Sequence, residues 1–155
     1  MEEKDIYWMK EALKEASQAL TEDEVPVGAV IVQGDECLAR THDLRESTGD
    51  PTAHAEILAI RSMAQKIGDW RLDGCSLYVT LEPCPMCAGA LILARVKRLI
   101  YGAPNLKSGA VESHLQLLSI PTFNHLVSVT PGILSEECAG LLKQFFQNKR
   151  QKNSG

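Results

Sequence analysis

Apolar positions along the chain follow two spacings, one helical and one extended. Steps of three and four residues cover 6–20, 54–67, 85–95 and the segment from 135. Short apolar runs occupy 27–33, 37–43, 75–81, 98–102 and 126–130, and a Gly34-Asp35 turn joins the first two as a hairpin. Because strands and helices alternate from residue 75, the pattern predicts a layered α/β domain with parallel neighbours in its sheet.

Length and composition fit one folded domain. The chain has 155 residues, of which 45% are hydrophobic and 23% charged, as in ordinary globular proteins. It contains no internal repeat, low-complexity segment or linker. We therefore expect a single domain over residues 1–150 and a disordered polar tail over 151–155.

Charge and cysteine content restrict the compartment and the partners. The net charge is −4, so a nucleic acid would need a local basic patch. The longest apolar stretch, 90–94, is too short to cross a bilayer, and we expect a cytoplasmic protein with no membrane partner. Five cysteines make a disulfide framework improbable and favour a metal-binding or catalytic use.

Two polar pairs stand at the openings of predicted helices. His54 and Glu56 point roughly 200° apart around the helix axis. The imidazole can therefore hold a metal, while the carboxylate reaches the molecule at the open coordination position of that metal and acts as a proton carrier. Cys84 and Cys87 fall on one side of their helix, and Pro85 suits its first turn. One nitrogen and two sulfurs suit Zn²⁺ and leave a fourth position for water, which indicates a catalytic site.

Each pair alone has other interpretations. His54 could be a buried histidine, and the two cysteines could be a redox pair or half of a structural zinc site. The candidates for a fourth structural ligand are Cys37, Cys75, Cys138, His42, His114 and His125, none with ligand spacing. His-x-Glu on one helix, then a strand, then Pro-Cys-x-x-Cys on the next helix is typical of zinc nucleobase deaminases, and this combination favours catalysis.

Longer segments around these residues resemble the bacterial tRNA-specific adenosine deaminases. They are EVPVGAV (24–30), DPTAHAEI (50–57), WRL (70–72), LYVTLEPCPMCAGA (77–90), FNH (123–125) and the FF pair of the last helix. The resemblance implies a three-layer α/β/α cytidine deaminase-like fold with a mixed five-stranded sheet, in a homodimer with active sites near the subunit interface. It also implies conversion of adenosine to inosine at the wobble position of a tRNA anticodon loop.

The resemblance assigns roles to residues of this chain. His54, Cys84 and Cys87 would hold one Zn²⁺ per subunit, and Glu56 would be the general acid and base. The N–H of Ala55 and the carbonyl of Glu82 would lie near the reacting amine, and Val25 and Pro26 would wall the purine.

Nucleic-acid contacts are expected from the loop after the 98–102 strand and from the last helix. Lys107 and the basic helix end would supply a local positive surface. Phe145 and Phe146 suit stacking on a base, although their helical spacing predicts core packing for at least one of them.

Position 43 departs from the family, which usually has Asn where this chain has Asp43. An ionised Asp only accepts hydrogen bonds and would face purine N7 unfavourably. One hypothesis is that adenosine turnover rises with Asp43→Asn. The alternative is that Asp43 is protonated, turned away or paired with Arg45.

Position 105 also departs, with Asn105 where the family usually has Asp. A carboxylate suits an RNA 2′-hydroxyl, so the neutral amide could admit single-stranded DNA. The alternative is an ordinary loop amide.

Three other functions compete with tRNA editing. They are deamination of adenine or cytosine in single-stranded DNA by a natural or altered enzyme, deamination of small guanine or cytosine compounds, and binding by a non-catalytic zinc-stabilised module. Glu56 argues against the last, because a structural zinc site has no use for an unligated carboxylate.

Overall fold

Helices and strands alternate along the chain as the apolar spacing predicts. The computed structural model describes residues 2–154, with side chains over 2–152. The helices are α1 (Glu3–Thr21), α2 (Arg45–Thr48), α3 (Ala55–Ile67), α4 (Pro85–Leu93) and α5 (Ser135–Ser154). The strands are β1 (Gly28–Gln33), β2 (Glu36–His42), β3 (Cys75–Leu81), β4 (Arg98–Ala103) and β5 (Ser128–Thr130).

One five-stranded sheet in the order β2-β1-β3-β4-β5 forms the middle layer. The predicted hairpin is present, since β1 pairs antiparallel with β2, and β1 is also antiparallel to β3. The pairs β3–β4 and β4–β5 are parallel. The mixed five-stranded sheet is therefore confirmed, and its parallel half is the part where strands alternate with helices.

Helices cover both faces of the sheet. On the α1 and α5 side the core includes Met9, Ala12, Tyr78, Ile100 and Cys138. On the α3 and α4 side it includes Ala59, Met63, Leu77, Leu91 and Leu99. Removing these side chains from water is the main favourable contribution to folding. The α1 layer lies so close to β1 that a Cβ on Gly28 would overlap the Ala12 carbonyl.

The structure differs from the predicted elements at two places. Residues 45–52 lie between two predicted elements, but they contain α2, which is too short to show a periodic pattern. The tail predicted to be disordered over 151–155 is helical to Ser154, and Gly155 lies outside the described residues. Lys and Gln favour helices, and Lys152 forms an ion pair of 3.2 Å with Asp23.

The fold brings helix starts and strand ends together at one edge of the sheet. The carboxyl end of β3 lies where α3 and α4 begin, which is where open α/β sheets place their ligands. None of the described helices combines the length and apolar character needed to cross a membrane.

Candidate metal centre and active site

The first turns of α3 and α4 carry the polar pairs found in the sequence. His54 is the N-cap residue of α3, and Cys84 is the N-cap of α4, followed by Pro85 as the first helical residue. Backbone N–H groups in a first turn have no partner within the helix, and they favour negative charge beside them. Thiolate and carboxylate groups at these two positions are therefore favoured by the helix ends.

Three donor atoms meet between the two helix starts. His54 Nδ1 lies 3.6 Å from Cys84 Sγ and 3.5 Å from Cys87 Sγ, and all three ligand atoms are within 4.8 Å of one another. Tetrahedral Zn²⁺ with its usual bond lengths requires N···S separations of about 3.6 Å. The donor set and its spacing thus fit zinc, and over residues 2–154 no further His, Cys, Asp or Glu joins the group.

Glu56 lies next to this group without being one of its members. It is on the first turn of α3 and only 4% exposed. Burial raises the pKa of Glu56 to about 7. Hydrogen bonding between the two thiols lowers the pKa of Cys84 and, together with burial, raises that of Cys87. Because these groups interact, the protonation of each one affects the pKa values of the others.

A cavity of about 70 Å³ opens above these side chains. Its lining residues are Val27, Asp43, Arg45, His54, Glu56, Leu81, Glu82, Cys84, Asn105 and Ser108. We call His54, Glu56, Cys84 and Cys87 the floor. Residues 43–45 and 105–108 form two polar sides, here called the 43–45 wall and the 105–108 wall.

Asp43 in the 43–45 wall is paired with Arg45, as one of the sequence alternatives holds. Asp43 is 1% exposed. Its Oδ1 accepts the backbone N–H and the Nε–H of Arg45 at 3.0 and 3.1 Å, and Arg45 Nη2 lies 3.0 Å from Oδ2. Asp43 therefore lines the cavity and also holds a guanidinium at its edge.

Asn105 in the 105–108 wall makes the bonds of an ordinary loop amide. Its Oδ1 accepts the N–H groups of Lys107 and Ser108 at 3.2 and 3.1 Å, and its Nδ2 donates to Ser108 Oγ at 3.0 Å. This turn shapes the wall, whatever else Asn105 contacts.

The side chain of Glu82 has a role that the sequence did not reveal. It is 1% exposed and accepts hydrogen bonds from the loop after β4, including the N–H groups of Glu112 and Ser113 at 2.8 and 2.9 Å. Burial alone would raise the pKa of Glu82, but these donors outweigh burial and lower it to about 2.

The other residues expected to contact the substrate differ in their burial and in their position relative to the cavity. Ala55 is the first residue of α3 and is buried beside the floor. Val25 is half-buried and Pro26 buried just before β1, and it is Val27 that lines the cavity. Ser108 and Leu81 were missed, and Arg45 was named only as a partner of Asp43; closeness in sequence to Asp43, Asn105 and Glu82 is the one signal that could have indicated these three as lining residues.

The expectation for Phe145 needs correction. Phe145 is 3% exposed and belongs to the interior, whereas Phe146 is 46% exposed. Neighbouring helix positions differ by about 100°, so only one of the two rings faces the core. Lys107 is exposed, and its Nζ lies 5.8 Å from the centre of the Phe146 ring.

Comparisons with known proteins agree with this geometry. The sequence matches the MafB19-like deaminase family over residues 3–150. It is 49% identical to the tRNA-specific adenosine deaminase of Bacillus subtilis (strain 168), covering 96% of this chain and 92% of that protein.

Solved structures agree as well. A tRNA:A34 deaminase studied for A-to-I editing at the wobble position matches with a TM-score of 0.84 and 46% identity, over 88% of this chain and 99% of the other. The guanine deaminase of Bacillus subtilis matches with a TM-score of 0.63 and 30% identity, over 96% and 95% of the two chains. The cytidine deaminase-like fold is confirmed, and the chain belongs to the MafB19-like deaminase family and, within it, to the tRNA-specific adenosine deaminases.

Proposed function

We propose that this chain is a zinc-dependent deaminase that converts adenosine to inosine at the wobble position of a tRNA anticodon loop. The observation that carries the proposal is the donor group of His54, Cys84 and Cys87 with buried Glu56 in the same cavity. The relatives named for tRNA editing support the substrate.

One Zn²⁺ per subunit is proposed between the three donors. An imidazole nitrogen and two sulfurs at 3.5–3.6 Å suit tetrahedral zinc with one position left for water. When bound, Zn²⁺ supplies a Lewis acid that lowers the pKa of water toward neutrality.

Glu56 is the proton carrier of this proposal. Its carboxylate takes a proton from the attacking water, passes it to the adenine ring nitrogen and helps to protonate the departing ammonia. Adenosine and water are thereby converted to inosine and ammonia. Because Glu56 is buried, bulk water does not compete for the proton.

The cavity sides hold the nucleoside in this proposal. The N–H of Ala55 and the carbonyl of Glu82 would contact the reacting amine, and Val25 and Pro26, which directly precede the lining residue Val27, would wall the purine. Exposed Lys107 and Phe146 suit an RNA phosphate and a splayed base, respectively.

A homodimer is proposed on the exposed apolar surface around α4. Leu93 is 74%, Trp70 54%, Phe123 40% and Met86 36% exposed, and the first three line one groove. Large exposed apolar patches mark interaction sites. Since α4 also carries Cys87, two active sites would lie near such an interface.

Five free thiols suit a cytoplasmic location.

Deamination of free guanine is the second candidate. The likeness to a guanine deaminase favours it, and so does buried Asp43, because a carboxylate accepts hydrogen bonds from the ring N–H and amino group of guanine.

A mass-resolved deamination assay separates these functions. Zinc-loaded protein is given an RNA anticodon hairpin, the matching single-stranded DNA, cytosine-containing versions of both, and free guanine. We expect conversion of adenine in RNA. Glu56→Gln keeps the size of the side chain but removes the proton acceptor, so turnover should fall roughly a hundred- to ten-thousandfold with zinc content unchanged.

Other outcomes would change the proposal. Conversion of guanine alone would establish the second candidate, and conversion of DNA or cytosine would redefine the substrate. Undiminished turnover in Glu56→Gln would remove Glu56 from the mechanism.

A further inference from the structure

Two buried carboxylates outside the floor hold the two walls of the cavity. Glu24 is fully buried, and its Oε1 and Oε2 accept the N–H groups of Glu46 and Ser47, both at 2.8 Å. These donors are on α2, directly after the 43–45 wall. Glu82 is 1% exposed and does the same for the loop that contains the 105–108 wall.

The bonds of Glu82 reach across nine residues of that loop. Oε1 accepts Asn105 N–H at 3.0 Å and Ser113 Oγ–H at 2.5 Å. Oε2 accepts the N–H groups of Val111, Glu112 and Ser113 at 3.1, 2.8 and 2.9 Å. Hydrogen bonds to an ionised acceptor are about twice as strong as neutral ones, so one carboxylate fixes both ends of the loop.

The loop is closed tightly around this carboxylate. A Cβ at Gly109 would overlap the carboxyl group of Glu82, so a larger residue at this position would displace that carboxylate. Ala110 N–H also donates to the Pro83 carbonyl at 2.8 Å. Pro83 lies between Glu82 and Cys84, so the loop is tied to the segment that carries a metal-ligand candidate.

We propose that Glu82 is a positioning residue, whose carboxylate holds the 105–108 wall at a fixed distance from Glu56 and from the three donor atoms. The expected effect on KM rests on the proposed function. The expected effect on the structure of the loop rests on the observed contacts alone. Glu82 acts through the backbone of Asn105 and its neighbours, and its side chain takes no part in proton transfer.

An amide in place of the carboxylate cannot accept all five bonds, because one of its two terminal atoms is a donor. In Glu82→Gln the amides of Asn105, Val111, Glu112 and Ser113 should exchange with solvent at least about tenfold faster than in the wild type. Glu24→Gln is the matched variant for the other wall and should accelerate exchange at Glu46 and Ser47 only. Zinc content should remain that of the wild type in both.

Kinetics then measure what the wall does. With a loosened wall, we expect KM for the RNA hairpin to rise roughly ten- to a hundredfold in Glu82→Gln while kcat is largely retained. Asp5→Asn is a control on α1, away from the residues that line the cavity; Asp5 is 3% exposed and accepts hydrogen bonds from Tyr78 and Arg98 at 2.7 and 3.0 Å. It should lower stability without changing KM.

A second variant separates the position of the Glu82 carboxylate from its charge. Gly109→Ala keeps the carboxylate but displaces it, and it should raise KM in the same way as Glu82→Gln. If exchange at the four amides stayed at wild-type rates in Glu82→Gln, the anchor would be refuted.

An unchanged KM with faster exchange would refute the effect on substrate. A wild type without turnover would count against the proposed function, and the exchange data would still decide whether Glu82 holds the loop.

Discussion

The floor of the cavity and its two walls are built in different ways. His54 and Glu56 sit at the start of α3, and Cys84 and Cys87 at the start of α4, so the floor is placed by regular helices on a buried sheet. The 105–108 wall is a short irregular segment, and the 43–45 wall is irregular up to Arg45, where the one-turn helix α2 begins. Each is fixed from a distance by a buried carboxylate, Glu24 or Glu82.

This difference assigns separate tasks to the two parts. Groups that hold a metal and transfer protons must be positioned to within a few tenths of an ångström, and rigid elements provide this precision. Loops supported by a rigid scaffold suit substrate selection, because their sequence can change without loss of the fold. Substitutions in the floor should therefore affect chemistry, and those in the walls should affect KM and substrate choice.

The strongest test removes one sulfur from the floor. In Cys87→Ser the proposed zinc site loses a thiolate, and we expect both bound zinc and deamination to fall to background. Zinc per chain and turnover are measured together. Cys37→Ser is the control, because Cys37 lies on β2 and its Sγ contacts the Ala39 carbonyl at 3.4 Å. Full zinc binding by Cys87→Ser would show that the site is not the one proposed.

A smaller effect is expected in the 43–45 wall. In Asp43→Asn, one oxygen that faces Arg45 becomes a donor, which can meet an acceptor on a purine. We expect adenosine turnover to rise by up to about tenfold, the equivalent of one hydrogen bond. Rates on RNA hairpins that differ only in the target base measure this. Arg45→Gln removes the ion pair but retains the carboxylate of Asp43. An equal rise in adenosine turnover in that variant would show that release of Asp43 from Arg45 matters more than loss of the charge of Asp43.

Local sequence predicts the floor well and the walls poorly. The spacings His-x-Glu and Pro-Cys-x-x-Cys are complete within five residues, and helix starts are marked by proline and apolar periodicity. The bonds of Glu82 instead join residues 23 to 31 positions apart, and those of Glu24 join residues 22 or 23 apart. No periodic pattern encodes such pairs. Similarly, periodicity showed that one of two adjacent phenylalanines is buried, but not which one.

The 105–108 wall offers a test of substrate choice at constant loop structure. Asn105→Asp keeps the oxygen that accepts the N–H groups of Lys107 and Ser108, and Ser108 Oγ–H can donate to the new carboxylate. We expect activity on single-stranded DNA to fall about threefold more than activity on RNA, whose 2′-hydroxyl can donate to the carboxylate. Equal losses on matched RNA and DNA would mean that Asn105 serves only the turn.

The smallest effect concerns stability next to the 43–45 wall. His42 Nδ1 and Nε2 lie 3.1 Å from carboxylate oxygens of Glu15 and Glu22 on or just after α1. Carboxylates only accept, so the ring can donate to both of them only in its protonated form. Burial would lower the pKa of His42, but the two carboxylates outweigh burial and raise it above 6.5.

The direction of the pH dependence follows from this shift. A raised pKa means that the folded protein holds the proton more tightly than the unfolded chain, so the contribution to stability is complete below about pH 6.5 and is lost as pH rises through the folded pKa. We expect His42→Gln to be destabilised by at most about 1 kcal/mol near pH 6 and by less near pH 9, since the pair is partly exposed. Urea unfolding of the wild type, His42→Gln, Glu15→Gln and the double variant measures the coupling. A coupling energy between His42 and Glu15 that did not change with pH would contradict a protonated His42. Altered zinc content in these variants would mean that the walls are not independent of the floor.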